Sequence, residues 1–255
     1  MKNSNWTREE LIVAFNLYCK TPFTKINSSN KGVIELSKII GRSVSAVALK
    51  LANYARLDPA LQNRNISGMK HGSKGEEIIW NEFNNNWDEL ALESEKLLAQ
   101  FKGVSLEKSA EIEIIDIPEV GLERESIIMA RVNQGFFRKT VLSSYDNKCC
   151  VTGIEIPELL IASHIIPWKS NEKLRLNPQN GICINRLHDK AFDAGYMTID
   201  NNYKIILSPA IKKLESKDWV QKFFLPYDNK EIILPQRFYP DKYCLEYHYN
   251  EIFIK

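Results

Sequence analysis

The chain has 255 residues, 44% of them hydrophobic, a composition that suits a folded protein and excludes a largely disordered one. Its 34 Lys and Arg residues nearly balance its 32 Asp and Glu residues, and the net charge of +2 excludes a polycation that coats nucleic acid without specificity. No apolar run reaches the length of a membrane-spanning helix, and the start lacks the apolar core of a signal peptide. We therefore expect a cytoplasmic protein with no membrane partner.

Residues 1–101 are predicted to form a helical domain, because apolar residues recur there at helical spacing. Thr7 and Glu10 have the spacing of a capping box, in which side chains and backbone N–H groups bond reciprocally at a helix start. Ser73 and Glu76 repeat this spacing ahead of further helical sequence. The apolar stripe that follows is expected to pack in the core, and its members are Ile79, Trp80, Phe83, Trp87 and Leu90.

The segment VIELSKIIGRSVSAVALKLANYARLDP contains two helical periods separated by Gly41, and Ser43 is placed to cap the second helix. This spacing is typical of a helix-turn-helix, whose second helix enters the major groove of DNA. Such a unit would offer Arg42, Ser45 and Lys50 to DNA. A plain helical hairpin in a small bundle has the same glycine and the same periodicity, so both interpretations stay open.

The rest of the chain divides into a predicted linker and a second domain. Residues 102–127 have a surplus of Asp and Glu, one proline and two glycines, which predicts an acidic linker. From residue 128 to residue 255 the pattern changes to short strands and turns: LLIASHII and NGICIN have strand length, and YMTIDNNYKIILS is predicted to form a hairpin. NRLHDKAFDAG is predicted to form a short helix closed by Gly195. The predicted fold class is α+β, with an all-helical N-terminal domain.

Three polar residues of the second half are predicted to form one catalytic unit: His164 on a strand, Asn180 in a loop and His188 on a helix. Hydrolysis of a phosphodiester needs a base at neutral pH, and histidine has an unperturbed pKa near 6.5. It also needs positive charge beside the leaving oxygen, which one divalent metal ion supplies. His164 suits the base and His188 the metal ligand, while the Asn180 amide can hold the loop and orient His164.

The same residues lie in three linked motifs, which are His164-x2-Pro167-Trp168, Asn177-Pro178-x-Asn180-Gly181 and His188-x3-Phe192-Asp193-x-Gly195. Together they resemble the HNH, or ββα-metal, nuclease family, in the branch found in restriction endonucleases. The upstream segment RVNQGFFRKTVLSSYDNKCCVTG, which contains Arg138, is similar to the lead-in of that branch. The resemblance implies a ββα-metal nuclease domain, double-stranded DNA as substrate with Arg138 as a DNA contact, and one divalent ion, Mg²⁺ or Mn²⁺.

The resemblance also implies roles for individual residues: His164 is the general base, Asn180 the positioning asparagine and His188 a metal ligand. Many members place a further metal ligand immediately before the base and another four residues after the metal-binding histidine. This chain has Ser163 and Phe192 at those positions. Asp193 is therefore our candidate for completing the metal shell, and a helix-ending residue that bonds to the backbone is the alternative for it.

The loop from Arg64 to Lys74, which includes Lys70 and two glycines, has suitable chemistry for contact with DNA phosphates. With the preceding helices it loosely resembles the helical DNA-sulfur-binding modules of McrA-like HNH enzymes, which implies recognition of phosphorothioate DNA. Recognition of another modified or specific sequence, and a role in protein interaction, stay open.

The sequence thus predicts a metal-dependent DNA endonuclease of restriction or phage-defence type, in which the helical domain selects the site and the HNH domain cuts. One HNH centre cuts one strand, so double-strand cleavage would need a homodimer. Two alternatives stay open. One is an effector nuclease gated by a partner protein, and the other is a non-catalytic DNA-binding regulator that keeps the HNH fold as a scaffold.

Overall fold

The computed structural model describes residues 5–64, 72–112 and 121–255. The chain forms two compact units, Met1–Ser144 and Tyr145–Lys255. The second domain predicted from the sequence begins at residue 128. Within the described ranges, no helix is both long enough and apolar enough to cross a membrane.

The described residues of the first unit form α-helices and one 3₁₀ turn. The α-helices are α1 Arg8–Lys20, α2 Lys31–Ile40, α3 Val44–Ala55, α4 Pro59–Gln62, α5 Lys74–Phe83, α6 Trp87–Lys102, α7 Leu106–Ser109 and α8 Leu122–Ser144. Helix α1 is central and contacts α3, α5, α6 and α8. The Phe15 ring of α1 packs against Tyr54 and Trp80, with ring centroids 4.8 and 5.3 Å apart. The apolar stripe predicted across α5 and α6 is confirmed as part of this buried core.

Local sequence decides where several of these helices begin. Thr7 Oγ1 accepts from the Glu10 N–H at 3.3 Å, and the Thr7 N–H donates to the Glu10 carboxylate at 3.0 Å, so the capping box of α1 is confirmed. The start of α5 differs from its prediction, because the Ser73 side chain makes no capping hydrogen bond and donates instead to the Glu76 carboxylate. That carboxylate faces inward, where it accepts from Lys50.

The two-helix unit predicted around Gly41 is confirmed as a structure. Gly41 ends α2 with a φ of +71°, in the left-handed region that glycine adopts without steric cost. Ser43 then caps α3, because its hydroxyl accepts from the Ala46 N–H at 3.2 Å. A helix-turn-helix and a plain helical hairpin share this geometry, so DNA contact by the unit stays a prediction.

Helix α8 spans 23 residues, several of them in the stretch where strands were expected. That part of the secondary-structure prediction is wrong. Ile128, Val132 and Phe136 are buried, and α8 packs on α1 and α6 of the first unit. These buried positions repeat every fourth residue, which is helical spacing. The predicted linker 102–127 also contains helix α7 and the start of α8, and its residues 113–120 lie outside the described ranges.

The second unit combines strands and helices. Its strands are β1 Leu160–His164, β2 Gly181–Asn185, β3 Met197–Ile199 and β4 Ile205–Leu207, and its α-helices are α9 Arg186–Asp193, α10 Pro209–Lys212, α11 Asp218–Phe223 and α12 Lys242–Glu251. Strands β1 and β2 pair antiparallel, with His164 opposite Gly181, and β3 pairs antiparallel with β4 as the predicted hairpin. Gly195 follows α9 with a φ of +74°, and a Cβ there would lie 2.2 Å from the Ile252 carbonyl oxygen. Only glycine fits that position without displacing the chain.

Candidate active site

Strands β1 and β2 and helix α9 form one contiguous ββα unit. Residues 165–180 connect the strands, and α9 begins directly after β2 with Asn185 as its N-cap. Helix α9 packs against both strands. The three predicted catalytic residues all lie in this unit: His164 ends β1, Asn180 immediately precedes β2 and His188 lies in the first turn of α9.

His164 is partly buried, and its ring is held on two sides. Its Nε2 lies 2.9 Å from the main-chain carbonyl of Arg175, and its ring meets Trp168 edge-on with centroids 5.5 Å apart. Because a carbonyl can only accept, Nε2 carries the hydrogen and Nδ1 carries the lone pair of the neutral ring. Burial lowers the pKa of His164, and the bond to the Arg175 carbonyl opposes this shift. The ring is therefore neutral at pH 7, as a general base must be.

Asn180 is buried, and its side-chain amide fastens the loop that precedes it. Its Oδ1 accepts from the Ile166 N–H at 2.8 Å, and its Nδ2 donates to the carbonyls of Ile166 and Leu174 at 3.1 and 3.2 Å. Leu174 is the neighbour of Arg175, whose carbonyl accepts from His164. Asn180 therefore holds, through the main chain, the group that orients His164.

His188 is buried, and protein atoms bond to both of its ring nitrogens. Nε2 lies 2.7 Å from the Phe223 carbonyl oxygen, and Nδ1 lies 2.8 Å from the Asn185 amide nitrogen. Nε2 therefore donates and Nδ1 accepts, and burial lowers the pKa of His188, which keeps the ring neutral. A metal ion on His188 would have to displace one of these two groups. Metal binding by His188 stays a prediction.

Asn185 contacts both His188 and the segment before β1. It was not among the predicted site residues. Its Oδ1 caps α9 by accepting from the N–H groups of Leu187 and His188, both at 3.1 Å. Its Nδ2 also lies 3.2 Å from Thr152 Oγ1 and 3.3 Å from Cys149 Sγ. An asparagine before a helix is a visible cap signal, but the contacts to Thr152 and Cys149 join residues 33 and 36 positions apart. All five cysteines are buried and lie outside disulfide bonds.

Asp189 and Asp193 lie one turn apart on α9, so their carboxylates share one face of the helix. Burial raises the pKa of Asp193, and the negative charge of Asp189 raises it further. Asp193 is exposed at the surface and Asp189 is half-buried, and carboxylate oxygens are ligands that Mg²⁺ and Mn²⁺ prefer. The described ranges contain no group of three or more His, Cys, Asp or Glu side chains placed to hold a metal. Asp193 was a predicted ligand and Asp189 was not, although their spacing is visible in the sequence.

The residues predicted to contact DNA from the first unit divide into buried and exposed groups. Arg42 donates to the Glu10 carboxylate at 2.6 Å and Lys50 to the Glu76 carboxylate at 2.5 Å, and all four side chains are buried. Both cations also lie 5.0 Å from the centre of the Trp6 ring. These contacts correct the prediction that Arg42 and Lys50 face DNA, because a desolvated cation stays with its carboxylate. The exposed members of the set are Ser45, Arg64, Lys74 and Arg138, and Lys70 lies outside the described ranges.

The ββα unit is a site built from two antiparallel strands and one helix. Comparison with protein families matches the same part of the chain. Residues 149–200 match a family model described as HNH endonuclease, and the match includes His164, Asn180 and His188. No curated protein matches the chain. Residues 149–200 are thus similar to an HNH endonuclease domain, and nuclease activity is the function that this similarity suggests.

Proposed function

We propose that the protein is a metal-dependent DNA endonuclease that hydrolyses phosphodiester bonds. The observation that carries the proposal is the contact of His164 Nε2 with the Arg175 carbonyl, which makes Nε2 the donor and leaves Nδ1 as the proton acceptor of the neutral ring. The family match supports the proposal independently, because it spans the same histidine and the loop that orients it.

In the proposed reaction, His164 Nδ1 removes a proton from the water molecule that attacks phosphorus. The Arg175 carbonyl accepts from Nε2–H and so stabilises the imidazolium that forms, while Asn180 keeps this part of the loop in place. Cleavage of the bond to the 3′-oxygen would leave a 5′-phosphate and a 3′-hydroxyl.

One divalent ion, Mg²⁺ or Mn²⁺, supplies positive charge beside the leaving oxygen when it is bound. Asp189 and Asp193 would hold this ion, because they share a face of α9 and their mutual repulsion is relieved by a cation. His188 is the other proposed ligand. It would first have to give up a hydrogen bond, to Phe223 or to Asn185, so the carboxylate pair is the better supported part of the shell.

The wider role that we propose is a restriction or phage-defence nuclease of the cytoplasm, in which the first unit selects the DNA site. The exposed cations of that unit support DNA contact, whereas the burial of Arg42 and Lys50 counts against a recognition helix that uses them. Phosphorothioate DNA, another modified or specific sequence, and a protein partner are the candidates for what this unit binds. A homodimer is proposed for double-strand cleavage, because one centre cuts one strand.

The contact between His188 and Phe223 favours a second candidate function, a nuclease gated by a partner protein. Because Nε2 bonds to the main chain of α11, a partner that moves α11 would release this nitrogen for metal binding. The gated nuclease is expected to cut only after the partner is added, whereas a non-catalytic DNA-binding regulator is expected to cut under no condition.

Cleavage of supercoiled plasmid in Mg²⁺ or Mn²⁺ tests the proposal. We expect His164→Ala to lose activity by about 100-fold or more, because the base is removed. Lys242→Ala, an exposed change on α12, is the control and should cut like the wild type. Equal cutting by wild type and His164→Ala would refute the assigned base, and cutting that begins only with an added component would favour the gated nuclease.

A further inference from the structure

Arg175 lies in the loop between β1 and β2 and belongs to the same packed cluster as the proposed base. Its main-chain carbonyl bonds to His164 at 2.9 Å, and its side-chain Nε donates to the Trp168 carbonyl at 2.8 Å. Its guanidinium also lies over the Trp168 ring, 5.4 Å from the ring centre. The indole also meets the imidazole of His164, with ring centroids 5.5 Å apart. The guanidinium, the indole and the imidazole are therefore consecutive members of one cluster.

The Arg175 side chain also reaches solvent, because 30% of it is exposed. Its carboxylate contact is a 3.3 Å approach of Nη2 to Glu172, whose side chain is 82% exposed. Water screens such a pair, so it contributes little free energy and is easily replaced. A phosphate offers arginine two parallel charge-assisted hydrogen bonds, which are stronger. The exposed side of the guanidinium is thus suited to a phosphate.

We propose that Arg175 binds a phosphate of the DNA backbone beside the scissile bond and, through its own carbonyl, keeps His164 oriented. The inference rests on the proposed function and adds a residue that both binds substrate and positions the base. Because the guanidinium and the carbonyl belong to one residue, phosphate binding and orientation of His164 are coupled. Trp168 is the rigid platform that keeps the guanidinium next to the imidazole.

Three variants separate the contributions of Arg175. Arg175→Ala removes the charge and the bond to Trp168, whereas Arg175→Lys keeps the charge and loses the planar guanidinium. Lys173→Ala is the matched control, because Lys173 is exposed in the 3₁₀ turn Glu172–Leu174 and its removal changes the net charge equally. Each variant is assayed for plasmid cleavage, and each is assayed for binding to a duplex oligonucleotide at several salt concentrations without divalent metal.

We expect Arg175→Ala to lower kcat/KM by about 10- to 100-fold, because a hydrogen-bonded charge is lost. It should also lower the slope of log affinity against log salt by about 0.9, the value for one phosphate contact. Arg175→Lys should keep most of the salt slope and still lower kcat, because the bond to the Trp168 carbonyl is lost. A change in kcat/KM and salt slope with Arg175→Ala that is no larger than with Lys173→Ala would overturn the inference.

The tautomer of His164 gives a measurement that does not depend on cleavage. Nitrogen-15 NMR should show the Nε2–H form in the wild type and in Lys173→Ala, and a mixture of tautomers in Arg175→Ala. An unchanged tautomer in Arg175→Ala would overturn the positioning role. A wild-type protein that cuts DNA under no condition would refute the proposed function, and the tautomer and the salt slope would still report on Arg175. If Arg175→Ala does not fold, Arg175→Lys provides the test. Its kcat should then fall while the slope of log affinity against log salt stays unchanged.

Discussion

Acidification is predicted to destabilise the second unit through His248, a buried histidine on α12. Its Nε2 lies 3.1 Å from the Phe192 carbonyl oxygen, and its Nδ1 lies 2.9 Å from Thr198 Oγ1. The ring also stacks on Phe192, with centroids 3.7 Å apart. Burial lowers the pKa of His248 to about 4. The neutral ring is thus part of the packing that holds the C-terminal end of α9, where Asp193 lies.

The sign and size of the effect follow from the folded and unfolded pKa values. The folded pKa of His248 is about 4, whereas the unfolded value is near 6.5, so between these values the unfolded state binds more protons. The contribution to stability is complete above pH 6.5 and falls as the pH decreases towards 4. The expected loss is about 2 kcal/mol at pH 5 and about 3 kcal/mol at pH 4.

Amide hydrogen exchange of β3 and β4 measures this loss in the wild type and in His248→Gln, whose side chain keeps a donor and an acceptor but does not titrate. Between pH 7 and pH 5, the free energy of opening should fall by about 2 kcal/mol more in the wild type. The pKa values of His164 and His188 are also lowered by burial, but their contributions are common to both proteins and cancel in the difference. An equal fall in the two proteins would refute the reasoning.

Three further predictions concern the active site and the first unit. Asn185→Ala should destabilise the second unit by about 3 kcal/mol, because it removes a cap and buried hydrogen bonds, and Asn185→Ser should recover about 1 kcal/mol by restoring the cap. Urea unfolding compares the two, and equal losses would contradict a separate capping role. Replacing Asp189 and Asp193 by Asn should weaken Mn²⁺ binding by about tenfold or more, whereas His188→Gln should change the affinity by less than about threefold. Electron paramagnetic resonance measures the Mn²⁺ affinity of each variant. The opposite ranking would identify His188 as the ligand. Arg42→Ala should destabilise the first unit by about 3 kcal/mol in thermal unfolding, because it removes the cation that pairs with the buried Glu10 carboxylate. The DNA affinity of the folded protein should not change.

The elements around the site could be predicted from the sequence, because their signals are local. Apolar runs of strand length mark β1 and β2, and Gly195 marks the end of α9. The alternation about an Asn-Asn turn likewise predicts the hairpin of β3 and β4. In each case the residues that decide the conformation are near neighbours in the chain, so propensity and periodicity are sufficient.

The errors arise where the deciding contact is distant in sequence. Arg42 in the turn before α3 and Lys50 within α3 were predicted to contact DNA, but their partners Glu10 and Glu76 lie 32 and 26 positions away on α1 and α5. Helix α8 is the exception, because its buried positions repeat at helical spacing in the sequence, and the contacts with α1 and α6 show only what covers them. The sequence gives the type of a charged or apolar side chain. Only the packing shows which residues that side chain contacts.

The same distinction applies within the active site. The sequence by itself determined that His164, Asn180 and His188 occur in order on a strand, a loop and a helix, because spacing and residue type are sequence properties. Only the tertiary structure decided what each ring nitrogen contacts, and it does so largely through the main-chain carbonyls of Arg175 and Phe223. Every residue carries such a carbonyl, so these bonds cannot be predicted from residue type and are seen only in the folded chain.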